Sequence, residues 1–122
     1  IVAGDYDEAA VDAMIESHVN SGPVAIFSFT SCPFCARAKR ELEELGVPFT
    51  ALELDEIEEG DAVRAQLGRR TGRTSMPSLW IGGSCIGGCN DGSPGLIPLK
   101  KSGELQPMLV GAGVSFVDPA GA

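Results

Sequence analysis

Apolar positions along the chain follow two alternating periods. Over 5–21, Val11, Met14, Ile15 and Val19 recur at the spacing of one helical face, and "SGP" ends the run. His18, the single histidine, lies beside that stripe with nothing near it to suggest catalysis, so a surface or packing role is expected. The stretch "VAIFSF" at 24–29 is continuously apolar and rich in strand formers, as a buried strand requires. A helical period returns over 33–45, with Ala36, Leu42 and Leu45 expected to face inward and Gly46 to close the helix. At 47–55 Phe49, Ala51 or Leu52, and Leu54 alternate, which predicts a second strand. A third helix is expected over 58–70 with Val63 and Leu67 on its core face. "LWI" and "SCI" flank a Gly-Gly pair and read as a β-hairpin, with the lone Trp80 in its core. A loop and one last helical region follow, and the Gly, Ala and Pro content from residue 111 onward predicts a frayed tail.

The predicted order is therefore α-β-α-β-α-β-β-α. A right-handed crossover joins the first two strands and the hairpin adds an antiparallel pair. These elements make an α/β protein with a four-stranded mixed sheet and helices on both faces. At 122 residues the chain fits one domain, 1–122, with a core over about 5–110 and a flexible tail at 111–122.

Composition narrows the function. Apolar residues are 43% and charged residues 21%, which suits a packed core and excludes disorder. No apolar run approaches the roughly 18 residues of a membrane span. The acidic start, without Met or a basic apolar leader, reads as a trimmed terminus rather than a signal peptide. A net charge of −8 excludes nucleic acid as a partner. Yet Arg64, Arg69, Arg70 and Arg73 fall within ten positions, either as a solvated helix face or as a local site for a small anion.

Chemistry concentrates in "CPFC", where the first strand gives way to a helix. Pro33 suits the first helical position, which makes Cys32 the N-cap. An N-cap side chain accepts hydrogen bonds from the free amides of Phe34 and Cys35, and the helix dipole favours negative charge there. This arrangement favours the Cys32 thiolate and marks it as the nucleophile, with Cys35 as the shielded resolving thiol. A zinc site would have to join this pair to Cys85 and Cys89 across 49 residues, against roughly 15–20 in common zinc modules. A structural disulfide closing so short a loop would add little stability. A redox pair in a reducing compartment is the reading that fits.

Three motifs in order then support a family resemblance. "CPFC" resembles the CPYC site of dithiol glutaredoxins, "TSMP" resembles their cis-proline segment, and "IGGCND" resembles their Gly-Gly motif and following Asp. "ELD" after the second strand is also similar, and the likeness covers about 24–110. It implies a thioredoxin-like fold and a glutathione-dependent thiol–disulfide oxidoreductase that reduces protein disulfides and protein–glutathione mixed disulfides. By the same resemblance Cys32 would form the mixed disulfide and Cys35 would resolve it. Phe34 would wall the site, and Pro77, in cis, would present the backbone of Met76 to the tripeptide. Arg64, helped by Arg73, would take the glycine carboxylate, while Asn90 and Asp91 would hold the γ-glutamyl end. Cys89, at a position where many relatives also carry Cys, is either a secondary redox thiol or a small buried residue. Cys85 is expected to be structural, and a Cys85–Cys89 disulfide stays open. Arg69 and Arg70 are expected to be plain surface.

One departure stands out: Phe29 replaces the Lys that many relatives carry three residues before the nucleophile, so weaker thiol activation is expected. The alternative function is a [2Fe–2S] carrier, ligated by Cys32 and glutathione across two subunits. A monomer is expected otherwise. The pattern fits a protein of the cytoplasm or the chloroplast stroma, not a secreted one, and its likeness is to plastid-type members.

Overall fold

The computed structural model describes residues 5–92 and 94–116. Its elements run α1 (Glu8–Val19), β1 (Val24–Ser28), α2 (Pro33–Glu44), β2 (Thr50–Glu53), α3 (Gly60–Thr71), β3 (Ser78–Ile81), β4 (Ser84–Gly87), α4 (Leu96–Ser102) and α5 (Leu105–Gly111). A 3-10 turn, Leu54–Glu56, separates β2 from α3.

The four strands form one mixed sheet in the order β2-β1-β3-β4. β1 is central and every one of its five residues is buried, which is why the run is apolar throughout rather than alternating. It pairs in parallel with β2, Ser28 opposite Glu53, and antiparallel with β3, Val24 opposite Ile81. Gly82 and Gly83 turn β3 into β4 with φ of 58° and 84°, the twist that a two-residue hairpin needs and that residues with a Cβ resist.

Alternate residues of β1 feed two cores. Val24 and Ile26 pack with Ala38 and Leu42 of α2 and with the α4–α5 pair. Ala25 and Phe27 pack with Val11 and Ile15 of α1, Val63 and Leu67 of α3, and Trp80. Fully burying each large aliphatic side chain stabilises the fold by about 1.5–3 kcal/mol, so these two layers are what hold the sheet between its helices. His18 has the packing role expected of it: its ring meets Phe27 edge-on at 4.8 Å, and its Nε2 lies 2.9 Å from the Ile26 carbonyl.

Several expectations need correction. Ala36 is exposed, and the inward face of α2 is Cys35, Ala38 and Leu42. The second strand is shorter than 47–55, because Val47 and Phe49 lie before it and Leu54 opens the 3-10 turn. The single last helical region is two helices broken at Gly103, whose φ of 81° no helix continues. Pro98 and Pro107 fall in the first turns of these two helices, where a missing N–H costs nothing. Of the expected tail, 117–122 lies outside the described residues. The part before it packs: Val114 is buried and donates its amide to the Leu109 carbonyl at 2.9 Å.

Candidate active site

The end of β1 and the start of α2 build the reactive corner. Asp55 pins the loop between them, accepting from the Thr30 amide at 3.1 and 3.2 Å and from its hydroxyl at 2.5 Å. Those donors hold the Asp55 carboxyl below the usual carboxylate range. Cys32 then takes the N-cap, with φ −87° and ψ 117°, and Pro33 follows at the first helical position. The Cys35 amide donates to Cys32 Sγ at 3.2 Å, and that sulfur in turn points its own proton at the Met76 carbonyl, 3.7 Å away.

The two thiols differ in access. Cys32 is half-buried and Cys35 is buried, and all four cysteines are free. Burial, aided by the neighbouring Cys32 sulfur, pushes the Cys35 thiol up to about 12. Burial also raises the Cys89 thiol.

Beside Cys32 lies a groove of about 300 Å³ lined by Phe34, Ser75, Met76, Cys89, Asn90 and Asp91. Phe34 stands 56% exposed at its rim, an unusual position for so large an apolar ring. The Met76–Pro77 peptide is cis, as the resemblance implied. Thus five of the expected residues share one wall, and Ser75 joins them without having been anticipated. Arg73 reaches the wall from behind, with Nη2 donating to Asp91 Oδ1 at 3.0 Å and to Ser75 Oγ at 3.1 Å. Its side chain crosses bare backbone, since a Cβ on Gly88 or Gly92 would collide with the guanidinium. Arg73 Nη1 is buried with no hydrogen-bond partner among the described residues.

Arg64 does not line the groove. Its Nε donates to the Thr74 carbonyl at 2.7 Å, and its guanidinium lies 5.3 Å from the centre of the Phe29 ring. The position that lacks the usual Lys is thus covered by a cation from α3. Arg69 and Arg70 pair with Glu8 and Glu16 on α1, and Arg70 also lies over Trp80 at 5.7 Å. A second cavity of about 360 Å³, lined by Arg70, Arg73, Trp80 and Cys85 among others, touches neither Cys32 nor Cys35. The sequence reading also missed Gln66, a buried amide that joins the Tyr6 hydroxyl (2.8 Å) to Asp12 (3.1 Å).

Comparison with known proteins agrees with this geometry. The family model described as Glutaredoxin matches residues 24–86. Glutaredoxin-C2 of Arabidopsis thaliana is 43% identical over 95 residues, 78% of this chain and 82% of its own. Glutaredoxin-C4, chloroplastic, of Oryza sativa subsp. japonica is also 43% identical, over 78% of this chain and 68% of its own. Among solved structures, a buckwheat glutaredoxin–glutathione complex superposes with a TM-score of 0.83 at 34% identity, over 88% of this chain and 94% of that one. With a thioredoxin-like sheet, an N-capping cysteine beside a polar-ended groove, and this degree of likeness, the chain belongs to the glutaredoxin family.

Proposed function

We propose that Cys32 and Cys35 carry out glutathione-dependent thiol–disulfide exchange, with glutathione seated in the groove beside Cys32. The single observation that carries this reading is the Cys32 sulfur at the N-terminus of α2, held by an amide and opening beside the Phe34–Asp91 groove. The groove suits the tripeptide: apolar walls at Phe34 and Met76, an exposed carboxylate at Asp91 for an ammonium group, and main chain at Met76 that an extended peptide can pair with. Asn90 and Asp91 then hold the γ-glutamyl end. Arg73 orients Asp91 from behind, Arg64 stands outside the groove over Phe29, and Cys89 serves as a small buried wall.

On a glutathionylated protein, the Cys32 thiolate attacks the glutathione sulfur and the protein thiolate leaves. A second glutathione thiolate attacks that same glutathione sulfur, releasing oxidised glutathione and restoring Cys32. On a protein disulfide, Cys32 forms a mixed disulfide with the protein. Cys35 then attacks the Cys32 sulfur, expelling the second protein thiolate and leaving a Cys32–Cys35 disulfide for glutathione to reduce. Cys32→Ser is expected to abolish both reactions, whereas Cys35→Ser keeps removal of glutathione and loses reduction of protein disulfides. Steady-state assays of the two substrates check this, and substantial turnover by Cys32→Ser overturns it.

A bridged [2Fe–2S] cluster is not favoured. It would draw Cys32 from each of two subunits and complete its ligands with two glutathiones, and among the described residues no three His, Cys, Asp or Glu side chains converge to replace them. The chain acts as one domain, as a monomer, on disulfide or glutathionylated proteins. Four free cysteines, two of them buried, suit a compartment that keeps thiols reduced, the cytoplasm or the chloroplast stroma. No helix among the described residues is long and apolar enough to cross a membrane.

A further inference from the structure

The loop before Cys32 is held by a side chain that the exchange chemistry above does not use. β1 and β2 are parallel neighbours with Ser28 opposite Glu53, so both chains leave the sheet at the same end and the same level. Two residues further along each, Thr30 and Asp55 meet. The Asp55 carboxylate accepts from the Thr30 amide at 3.1 and 3.2 Å and from the Thr30 hydroxyl at 2.5 Å, so it takes both of that residue's donors. Among the described residues no other side chain hydrogen-bonds to 29–31. Lys39, whose charge Asp55 feels, gives its ammonium to Glu53 at 2.7 Å.

Thr30 is a central residue of the turn that delivers Cys32 to the helix. The Cys32 amide donates to the Phe29 carbonyl at 3.2 Å and closes the four-residue turn 29–32. On its other side, the Cys32 carbonyl accepts from the Ala36 amide at 3.0 Å inside α2. Between these anchors Cys32 holds φ −87° and ψ 117°, a non-helical setting that leaves its sulfur 3.2 Å from the Cys35 amide. Such a bond weakens steeply with angle, so a turn free to tilt would carry the sulfur off its donor. Thr30 and Ser31 are exposed, so packing does little to fix the tip of the turn. That leaves the grip of Asp55.

We propose that Asp55 is a positioning residue for Cys32: by gripping Thr30 it fixes the turn that sets the sulfur on the N-terminus of α2. This rests on the assignment of Cys32 as the attacking thiol. Asp55 does not line the groove, and its bonds end on Thr30, so it works through the main chain. A carboxylate near a thiol can act in two ways, and their signs are opposite. As a bare charge it opposes a second negative charge on the sulfur, so removing it would favour the thiolate. As a clamp it keeps the sulfur on its amide, so removing it would disfavour the thiolate. The clamp stays closed in neutral solution, because the Thr30 donors hold the Asp55 carboxyl below the usual carboxylate range.

The test follows alkylation of Cys32 by iodoacetamide from about pH 5 to 9, read by mass on the Cys32 peptide. It compares wild type, Thr30→Val, Asp55→Ala and the double variant, each well below its melting temperature. Asp55→Ala is expected to displace the profile to higher pH and to slow alkylation about tenfold near pH 6. Thr30→Val keeps the charge and the amide bonds and is expected to slow it about threefold. The double variant is expected to match Asp55→Ala, since both changes open one contact. Formation of the Cys32–glutathione mixed disulfide from a glutathionylated peptide, timed in a single turnover, is expected to slow in the same order. An unchanged profile, a profile displaced to lower pH, or a double variant slowed by the product of the single effects overturns the proposal. Failure of the wild type to form that mixed disulfide at all refutes the functional reading itself.

Discussion

Cys35 sits between opposing influences. Burial and the Cys32 sulfur favour its thiol, while the Phe29 amide and Ser28 favour its thiolate, and the first pair wins by a wide margin. At neutral pH Cys35 therefore holds its proton, which suits the proposed exchange, in which Cys32 is the sulfur that meets substrate. Around the groove, charge is carried by single residues. Arg73, 18% exposed, spans Ser75 and Asp91, and Asp91 is 77% exposed. Removing Arg73 takes away a charge-assisted contact worth about 1.5–3 kcal/mol. Arg73→Ala and Asp91→Ala are each expected to raise the KM for glutathione about tenfold with kcat largely kept; equal losses in kcat would show that they act on the chemistry instead. Cys32 was legible at this scale because an N-cap is a local event, settled by Pro33 next to it. The position of Arg64 was not, since its partners, the Phe29 ring and the Thr74 carbonyl, come from segments that only the folded chain brings to α3.

Among the elements, those whose pattern is local were readable from the sequence and those set by packing were not. The Gly82–Gly83 hairpin and the Gly46 end of α2 depend on backbone angles that few other residues adopt. The division of the last helical region at Gly103 escaped notice because a single Gly among apolar residues also suits a helix that continues. Leu54 fits a strand by alternation, yet its carbonyl meets the first turn of α3 so closely that Gly60 has no room for a Cβ. That contact separates two ways a glycine can matter. Gly60→Ala must displace backbone and is expected to cost about 2–3 kcal/mol. Gly83→Ala meets nothing within 4 Å and carries only the cost of its φ of 84°, about 1 kcal/mol. Urea denaturation of the two variants checks the difference, and equal costs would show that the α3 start yields easily.

For the whole molecule, the buried thiol links folding to pH. The Cys35 group ionises near 9.0 when free and near 12 when folded, so the folded state keeps a proton that the unfolded chain has released. Its contribution is fully present below pH 9 and is lost as pH rises from 9 towards 12. Stability is expected to decline over that window in wild type and to decline less in Cys35→Ala, as thermal melts at stepped pH would show; parallel curves would refute the linkage. The surface ion pairs between α1 and α3 add little by comparison, because exposed pairs contribute about 0–1 kcal/mol each and salt screens them. Finally, one side chain ties together loops far apart in the chain. Arg73, leaving the end of α3, lies across the main chain of Gly88 and Gly92 and grips Asp91. The loop that follows β4 is therefore shaped around a residue it does not contain. Anyone grafting that loop onto another scaffold would have to carry the arginine along with it, or refill the space it leaves.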